Sequence, residues 1–301
     1  MRRAATAAWA RLDRSPALLL CLAVLGWSGN FIVGRLVGGT APPVALALWR
    51  WVVAASILAP FAWRHVRDDS AELRRHWRIV AGLSLTGIAM FNTLVYRGLR
   101  TTTAINGILL QSVIPLLLVV FAYVLWRVRP RPAQLVGLAI SLLGVWVVVT
   151  LGNPFGAGGL HLGSGDALIF VAVVGYAVYT ALLQHRPAVH PLSLLFVTFS
   201  LGALMLLPLY AVELASGERL PLTAGSLAAV AYVGVIPSIV SYFCWNRGVE
   251  LAGAVRAGQF IHLMPVFGAA LSWLVLHEGL HPYHLIAAAL IGTGILVTAR
   301  R

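Results

Sequence analysis

The chain has 301 residues, of which 60% are hydrophobic and only 10% are charged, and its mean hydropathy is +0.88. This composition excludes a water-soluble globular protein and indicates an integral membrane protein. The basic residues that produce the net charge of +13 are all arginines. They are not clustered on a polar domain, which argues against nucleic-acid binding. We interpret them instead as determinants of membrane orientation.

Ten apolar runs along the chain are long enough to cross a bilayer. They lack the alternation of strands, which predicts helices rather than the strands of a barrel. The predicted spans lie near residues 16–35, 42–63, 79–97, 103–126, 132–151, 164–184, 191–213, 223–246, 253–276 and 282–299. The first run follows arginines, as in a signal peptide. Because further spans follow it and no plausible cleavage site does, we interpret it as an uncleaved first helix.

A repeat relates the two halves of the chain. The segment YRGLRTTTAINGILLQSVIP at 96–115 and the segment NRGVELAGAVRAGQFIHLMP at 246–265 place Arg-Gly and Pro in the same frame, at an offset of 150 residues. The repeat predicts two five-helix units, residues 1–151 and residues 164–301. The fold class expected is therefore an all-α membrane protein of ten transmembrane helices.

Charges in the loops predict that the two units are inverted. Arginines are frequent before span 1 and in the loops after spans 2 and 4, but their repeat counterparts carry only Arg219. Under the positive-inside rule both termini are cytoplasmic, in the inner membrane of a cell. An odd number of helices per unit then makes the units antiparallel, with a site between them that is offered alternately to either side.

Polar and aromatic side chains inside the spans are candidate ligands of a substrate, since such groups are costly in lipid. Predicted lining residues are Trp27, Asn30, Asn92, Tyr176, Tyr179 and Tyr242. Tyr96 and Trp245 have an interfacial position as their alternative. Arg50, between two tryptophans of span 2, is either a substrate ligand or a structural arginine that bonds carbonyls and stacks on aromatic rings.

A polar stripe is predicted on span 9, where Arg256, Gln259 and His262 recur every three residues. Asn106, Gln111 and Ser112 hold the related region of span 4, so two stripes are expected to face each other across a cavity. The alternative for His262 is an interhelical hydrogen bond. His262 is also a candidate for proton uptake during transport.

Two prolines and two glycines recur in the repeat. Pro115 and Pro265 are expected in the middle of spans 4 and 9, as gate hinges or as static bends. Gly98 and Gly248 follow arginines at helix ends, which predicts left-handed helix caps.

At these positions the chain resembles the EamA family of the drug/metabolite transporter superfamily. The resemblance rests on GWSGNF at 26–31, LALWRW around Arg50, the repeated segment, and WLVLHEGLHPYHLIAAALIGTGILV at 273–297. It implies a ten-helix inverted-repeat exporter of small metabolites, often amino acids or toxic compounds, with a cavity lined chiefly by helices 1, 3, 4, 6, 8 and 9. Glu278 stands at the family's usual acidic position. The first unit has LWRVRP at the equivalent place, without an acidic residue. Any role of the Glu278 carboxylate is therefore expected in the second unit only.

The function expected is secondary transport, by alternating access, of amino acids or related metabolites out of the cell; a facilitator or uniporter is the alternative. The partners expected are a small-molecule substrate and the lipid bilayer, with no nucleic acid, ATPase subunit, cofactor or metal. The energy source expected is the gradient of the substrate itself or that of an ion. If the ion is a proton, the candidate titratable groups are His262, Glu278 and Asp166. A zinc-protease pattern, H-E-x-x-H at 277–281, gives a competing enzyme hypothesis, which Pro282 directly after it disfavours.

Overall fold

The computed structural model describes residues 15–37, 40–102, 107, 110–150, 163–276 and 281–299, and these contain helices and turns but no strand. The helices are α1 (Pro16–Val37), α2 (Pro43–Asp68), α3 (Trp77–Leu83, Ser84–Met90 and Phe91–Gly98), α4 (Ile114–Trp126), α5 (Pro132–Val149), α6 (Ser164–Leu182), α7 (Pro191–Ala215), α8 (Ala224–Gly234, Val235–Val240 and Ser241–Ala252), α9 (Ala254–Gln259, Phe260–Leu263 and Met264–Leu276) and α10 (Pro282–Ala299). A short helix, Ser70–Arg75, joins α2 to α3.

Seven of the helices in the described residues are long and apolar enough to cross a membrane: α1, α2, α3, α6, α7, α8 and α9. The apolar parts of α4, α5 and α10 are shorter. The prediction of an all-helical, multi-pass membrane protein is thus confirmed for the described part of the chain, while the count of ten spans stays a prediction. Of the span predicted at 103–126, residues 103–106 and 108–109 lie outside the described residues.

Helices α2 and α7 pack against each other in opposite directions, and each receives a carboxylate at its N-terminus from the other. Glu213, near the end of α7, accepts hydrogen bonds from the backbone N–H of Val44 (2.9 Å) and of Ala45 (2.6 Å). Asp69, directly after α2, accepts from the His190 N–H (2.9 Å) and from the Ser193 hydroxyl (2.6 Å). The first N–H groups of a helix have no partner within it and carry partial positive charge, so both carboxylates stabilise the helix that they cap.

Helices α5 and α10 approach closely through glycine. A Cβ atom added to Gly294 would lie 2.4 Å from the carbonyl oxygen of Gly137, and one added to Gly137 would lie 2.5 Å from the carbonyl oxygen of Gly294. Further along the pair, a Cβ atom at Gly144 would lie 2.9 Å from the Ala287 carbonyl oxygen. Small residues are required here because the two backbones are in direct contact, as is common where helices pack within membranes.

Helices α3 and α8 each contain a π-helical segment, Ser84–Met90 and Val235–Val240. In α8 the cause is Pro237, which lacks an N–H and so cannot continue the α-helical bonding pattern. The hydroxyls of Ser238 and Ser241 donate to carbonyl oxygens five residues earlier, those of Val233 and Ile236, and so add side-chain hydrogen bonds to this segment.

The predicted left-handed caps at Gly98 and Gly248 are wrong. Among the described glycines only Gly217 and Gly253 have positive φ, and Gly248 lies inside the last segment of α8. A Cβ atom at Gly98 would lie 2.6 Å from Ile169 Cγ1, and one at Gly248 would lie 2.5 Å from Leu20 Cδ2. Both glycines are therefore needed for close packing against a neighbouring helix, and not for backbone conformation.

An ion pair between Arg100, after α3, and Glu218, after α7, predicts a pH effect. Arg100 Nη1 and Nη2 donate to the two Glu218 oxygens at 2.9 and 2.6 Å, and this bonding lowers the pKa of Glu218 below its ordinary value of 4.5. A carboxyl group with a lowered folded-state pKa adds stability above its ordinary pKa and loses that contribution as the pH falls through the folded-state value. We expect wild type to be slightly more stable than Glu218→Gln at pH 7, and the difference to shrink as the pH falls below the ordinary pKa of the carboxyl group. Thermal unfolding of both proteins between pH 3 and 7 measures it; a difference that grows in acid would contradict the assignment.

Candidate functional site

A cavity lies where six helices meet. It is lined by Trp27, Asn30, Phe31, Phe91, Asn92, Val95, Gln111, Ile114, Tyr176, Tyr242, Ile261 and Met264. Its volume is about 20 Å³, enough for little more than one water molecule. A metabolite therefore fits only after the helices around the cavity have moved apart.

One wall of the cavity is aromatic. The Trp27 ring meets Tyr176 edge-on at 5.4 Å between centroids and Tyr242 at 5.7 Å. The Trp27 indole N–H donates to the carbonyl oxygen of Pro237 (3.0 Å), and the Tyr242 hydroxyl donates to that of Gly87. Both acceptors belong to the π-helical segments, so these irregular turns supply the carbonyls that hold the rings in place.

Tyr179 lies next to this wall and not in the cavity lining. Its ring is in contact with Tyr242 at 5.7 Å, and its hydroxyl donates to Asn246 Oδ1 at 2.7 Å. A Cβ atom at Gly87 would lie 2.2 Å from the Tyr179 ring. The glycine in the π-helical segment of α3 is thus required for Tyr179 to pack there.

Arg50 is buried, with 1% of its surface exposed, and is held by neutral oxygen atoms. Its Nη1 donates to Asn92 Oδ1 (2.7 Å), to the Tyr96 hydroxyl (2.8 Å) and to Asn30 Oδ1 (3.5 Å). Its Nε donates to Ser238 Oγ at 2.9 Å, and its guanidinium lies 4.6 Å from the Trp51 ring centre. The stacking on Trp51 agrees with the structural alternative for Arg50, but the hydrogen bonds go to side-chain oxygens and not to backbone carbonyls. Acceptor oxygens and π-contacts stabilise a buried guanidinium.

Two members of this network were not among the predicted lining residues. Tyr96 is 7% exposed, and its hydroxyl donates to Asn30 Oδ1 at 2.9 Å, so it is not an interfacial residue. Ser238 follows Pro237 inside α8 and carries no feature that distinguishes it from the other small residues of that helix. For Tyr96 the signal was its spacing of four from Asn92, which places both side chains on one face of a helix.

Three polar atoms in the cavity lining form no well-formed hydrogen bond within the described residues: Asn92 Nδ2, Gln111 Nε2 and the Tyr176 hydroxyl. All three are buried, and buried polar groups without partners cost free energy. Two of the three are amide N–H donors and the third can donate as well. A bound molecule that offers hydrogen-bond acceptors would satisfy them.

The predicted stripe on α9 lies outside the cavity lining. Gln259 and His262 are fully buried and Arg256 is half-buried. His262 Nε2 lies 3.1 Å from the Ser112 carbonyl oxygen, which can only accept, so this nitrogen carries the proton and Nδ1 has a free lone pair. Both atoms of the Gln259 amide group lack a partner. Instead of the stripe, Ile261 and Met264 of α9 line the cavity.

Each proline follows an irregular turn, and Pro265 lies in the middle of the span from 254 to 275. Pro115 is the second residue of α4, after a turn at 112–113, and Pro265 is the second residue of the last segment of α9, after a 3₁₀ turn at Phe260–Leu263. The missing N–H of proline is harmless at this position, because no partner for it exists in the first turn. Both helices are interrupted, rather than kinked, at the depth of the cavity.

The remaining predicted residues either lie outside the described residues or are not in the cavity lining. Asn106, Glu278 and the first residues of the H-E-x-x-H pattern lie outside the described residues. His281 precedes the helix that begins at Pro282, and its N–H donates to His284 Nδ1. Asp166 caps α6, since its carboxylate accepts from the Gly163 N–H and from the Thr102 hydroxyl. Within the described residues no group of three metal-ligating side chains occurs.

Comparison with known proteins decides the family. The sequence model of the EamA-like transporter family matches residues 14–150 and again residues 163–300. The chain belongs to this family. The resemblance drawn from the sequence is thereby confirmed, and the EamA chain is a multi-pass membrane protein.

Several relatives of this EamA chain are named as transporters. It is 27% identical over 289 residues to "Uncharacterized transporter YyaM" of Bacillus subtilis, and the match covers 94% of each chain. It is 26% identical over 290 residues to an "Uncharacterized transporter" of Archaeoglobus fulgidus, and that match covers 94% of this chain and 97% of the relative. A solved crystal structure matches with a TM-score of 0.76 at 20% identity, covering 95% of this chain and 96% of the other. That match supports the fold alone.

Proposed function

We propose that this EamA-family protein is a secondary transporter that exports small metabolites, amino acids or related compounds, by alternating access around the cavity. One observation carries the proposal. The cavity wall combines α1, α3 and α4 with α6, α8 and α9, that is, equal numbers of helices from residues 1–151 and 164–301, and it encloses room for about one water molecule. A substrate can reach such a site only if the two groups of helices separate, which also argues against an open channel.

Equivalent irregularities support the division into two inverted units. The π-helical segments Ser84–Met90 and Val235–Val240 end at equivalent positions and differ by one residue at their starts when 150 residues are added to the first. The same offset relates the interruption before Pro115 to the one before Pro265. Broken helices at matching places in two units are the features from which secondary transporters build a shared central site.

Contacts between the units support a twofold relation. The contact of Gly144 with Ala287 becomes the contact of Gly294 with Gly137 when each residue is exchanged for its repeat counterpart. Ser112 and His262, which are counterparts of each other, are joined directly by a hydrogen bond. Pairs of this kind are expected where a twofold axis passes between two copies of one unit.

The orientation proposed places both termini in the cytoplasm, in the inner membrane, on the basis of the arginine distribution. Inverted units then put residues 70 and 157 on opposite sides of the bilayer. A variant without Cys21 and Cys244 that carries Ser70→Cys or Ala157→Cys tests this. An impermeant thiol reagent added to intact cells should label only the second; labelling of both from one side would rule the layout out.

Proton coupling through His262 and Glu278 is part of the proposal. The free Nδ1 lone pair of His262 supports it, because a proton can be added there without loss of the bond from Nε2 to Ser112. His262 also links the two counterpart positions, so a change in its protonation would act between the units.

Flux in liposomes tests the proposed function. The purified protein is reconstituted, and uptake of labelled amino acids and other small metabolites is followed with and without an imposed pH gradient. We expect saturable flux of at least one compound, and a dependence on the pH gradient that His262→Gln removes. Trp27→Ala, in the cavity wall, should abolish the flux, while Trp63→Ala, on an exposed surface, should preserve it. Folded protein without flux of any compound would refute transport.

A further inference from the structure

Arg50 stands directly behind the cavity wall and is not part of the lining. It donates to the side-chain oxygens of Asn92 and Asn30, and both of these residues line the cavity. Because a guanidinium group has donors and no acceptor, the amide atom that each asparagine turns towards Arg50 must be oxygen. The NH₂ group of each amide is then the part left for the cavity side.

Tyr96 strengthens this orientation. Its hydroxyl accepts a hydrogen bond from Arg50 Nη1 at 2.8 Å and donates its own proton to Asn30 Oδ1 at 2.9 Å. Asn30 Oδ1 thus faces two donors, and turning the amide over would place its NH₂ group against both of them. The Asn92 NH₂ group is buried and makes no well-formed hydrogen bond in the described residues, although it interacts with the Tyr242 hydroxyl.

The charge of Arg50 is balanced only by dipoles. No carboxylate forms an ion pair with Arg50 in the part of the chain that the structure describes, and the described cavity lining contains no Asp or Glu. A buried charge without a counter-ion is strongly unfavourable, and its field extends over several ångströms where little water is present. The cavity is therefore a site of positive potential that is lined by N–H donors.

We propose that the substrates of this transporter carry a carboxylate, which is bound by the amide NH₂ groups of Asn92 and Asn30. Arg50 acts as the positioning residue that orients both amides and supplies the positive charge. The proposal rests on the transport function proposed above and specifies its substrate class. The other side of the cavity, with Trp27, Phe31 and Phe91, suits an apolar or aromatic body attached to the carboxylate.

A matched set of three probes tests this substrate class: 4-methylpentanoate, 4-methylpentanamide and 4-methylpentylamine. They share one apolar body and differ in the charge of the end group. Binding to the full-length protein in detergent is measured at pH 7.5 through tryptophan fluorescence, with Trp27 in the cavity wall as reporter, and through thermal stabilisation. We expect the carboxylate to bind about tenfold or more tightly than either analogue, since hydrogen bonds to a charged group are the stronger ones.

Variants separate positioning from a merely structural role. Asn92→Asp should remove the advantage of the carboxylate, because the new side chain pairs with Arg50, cancels its charge and offers no N–H to the ligand. Arg50→Gln should remove the preference for the carboxylate, and Arg50→Lys should restore part of it by keeping the charge. Arg100→Gln, which removes an exposed cation elsewhere, should leave the order unchanged. If Arg50 had a purely structural role, Arg50→Gln would weaken the binding of all three probes equally.

The outcomes distinguish the two proposals. Equal binding of the carboxylate, the amide and the amine, or an unchanged preference for the carboxylate in Asn92→Asp, would overturn the substrate class and leave transport standing. Flux of amines or neutral compounds in liposomes, without flux of any carboxylate, would do the same. Absence of both binding and flux for every compound would overturn the two together.

Discussion

Gly294→Ala is expected to destabilise the protein by about 3 kcal/mol, which makes it one of the most damaging single-methyl additions in the described chain. The added Cβ atom would lie 2.4 Å from the Gly137 carbonyl oxygen and 2.2 Å from Ser141 Oγ. The serine side chain can rotate away, but the carbonyl belongs to the backbone of α5. The two helices would have to separate along their length, so the loss includes contacts beyond the site of substitution.

The matched control is Gly292→Ala, two residues earlier on the same helix, where an added Cβ atom has no neighbour within 4 Å. This variant should be neutral or slightly more stable, because alanine favours the helical state over glycine by about 0.5–1 kcal/mol. Unfolding by SDS in mixed micelles measures the free energy of both variants. Equal effects of the two substitutions would show that α5 and α10 do not pack through this face.

Glu213→Ala is expected to cost about 2–4 kcal/mol of stability. The substitution removes both hydrogen bonds to the backbone of Val44 and Ala45 and leaves the start of α2 without a carboxylate at its positive end. The expected loss is large because Glu213 is 9% exposed, so water cannot readily replace the missing acceptor.

Two comparisons make this prediction specific. Glu218→Ala removes a carboxylate from an exposed ion pair five residues later and should change stability far less than Glu213→Ala does. Asp69→Ala removes the corresponding cap at the other end of the α2 and α7 pair. Because the two caps are at opposite ends and share no partner, their effects should add in the double variant. A strongly non-additive loss would mean that the pair unfolds as one unit after either cap is lost.

Helix positions are the part of the fold that the sequence predicts best, and proline explains why. In the described residues, α1, α2, α5, α7 and α10 each begin at a proline, which fixes the backbone for the first turn and needs no partner for its missing N–H. The predicted span at 191–213 accordingly corresponds to α7 at Pro191–Ala215. Hydropathy predicts the approximate length of each helix, and a proline predicts the residue at which the helix begins.

The irregular turns and π-helical segments within the helices are harder to predict from the sequence. Pro115 and Pro265 are predicted to bend spans 4 and 9, but the irregular turns before them depend on tertiary packing and cannot be located from a long apolar run. The π-helical segment of α3 has no proline. It depends on Gly87, against which Tyr179 packs, and that neighbour comes from a helix some ninety residues later.

The candidate site was predicted by residue type more than by position. Trp27, Asn30, Asn92, Gln111, Tyr176 and Tyr242 were all chosen as polar or aromatic groups within spans, and the structure places these six in one cavity lining. Their role in binding stays a prediction. Gln259 and His262 were chosen by the same criterion but are buried behind the wall, because periodicity along α9 does not reveal which of its faces meets the cavity.

The glycine contact between α5 and α10 has a consequence for how the protein is made. The glycine face of α5 is covered by α10, whose first residue, Pro282, follows Pro132 by 150 positions. At about 5–20 residues per second, a ribosome needs roughly 8–30 s to add that stretch. During this interval the backbone contact surface of α5 has been made without its partner, and it is covered only after α10 has been synthesised.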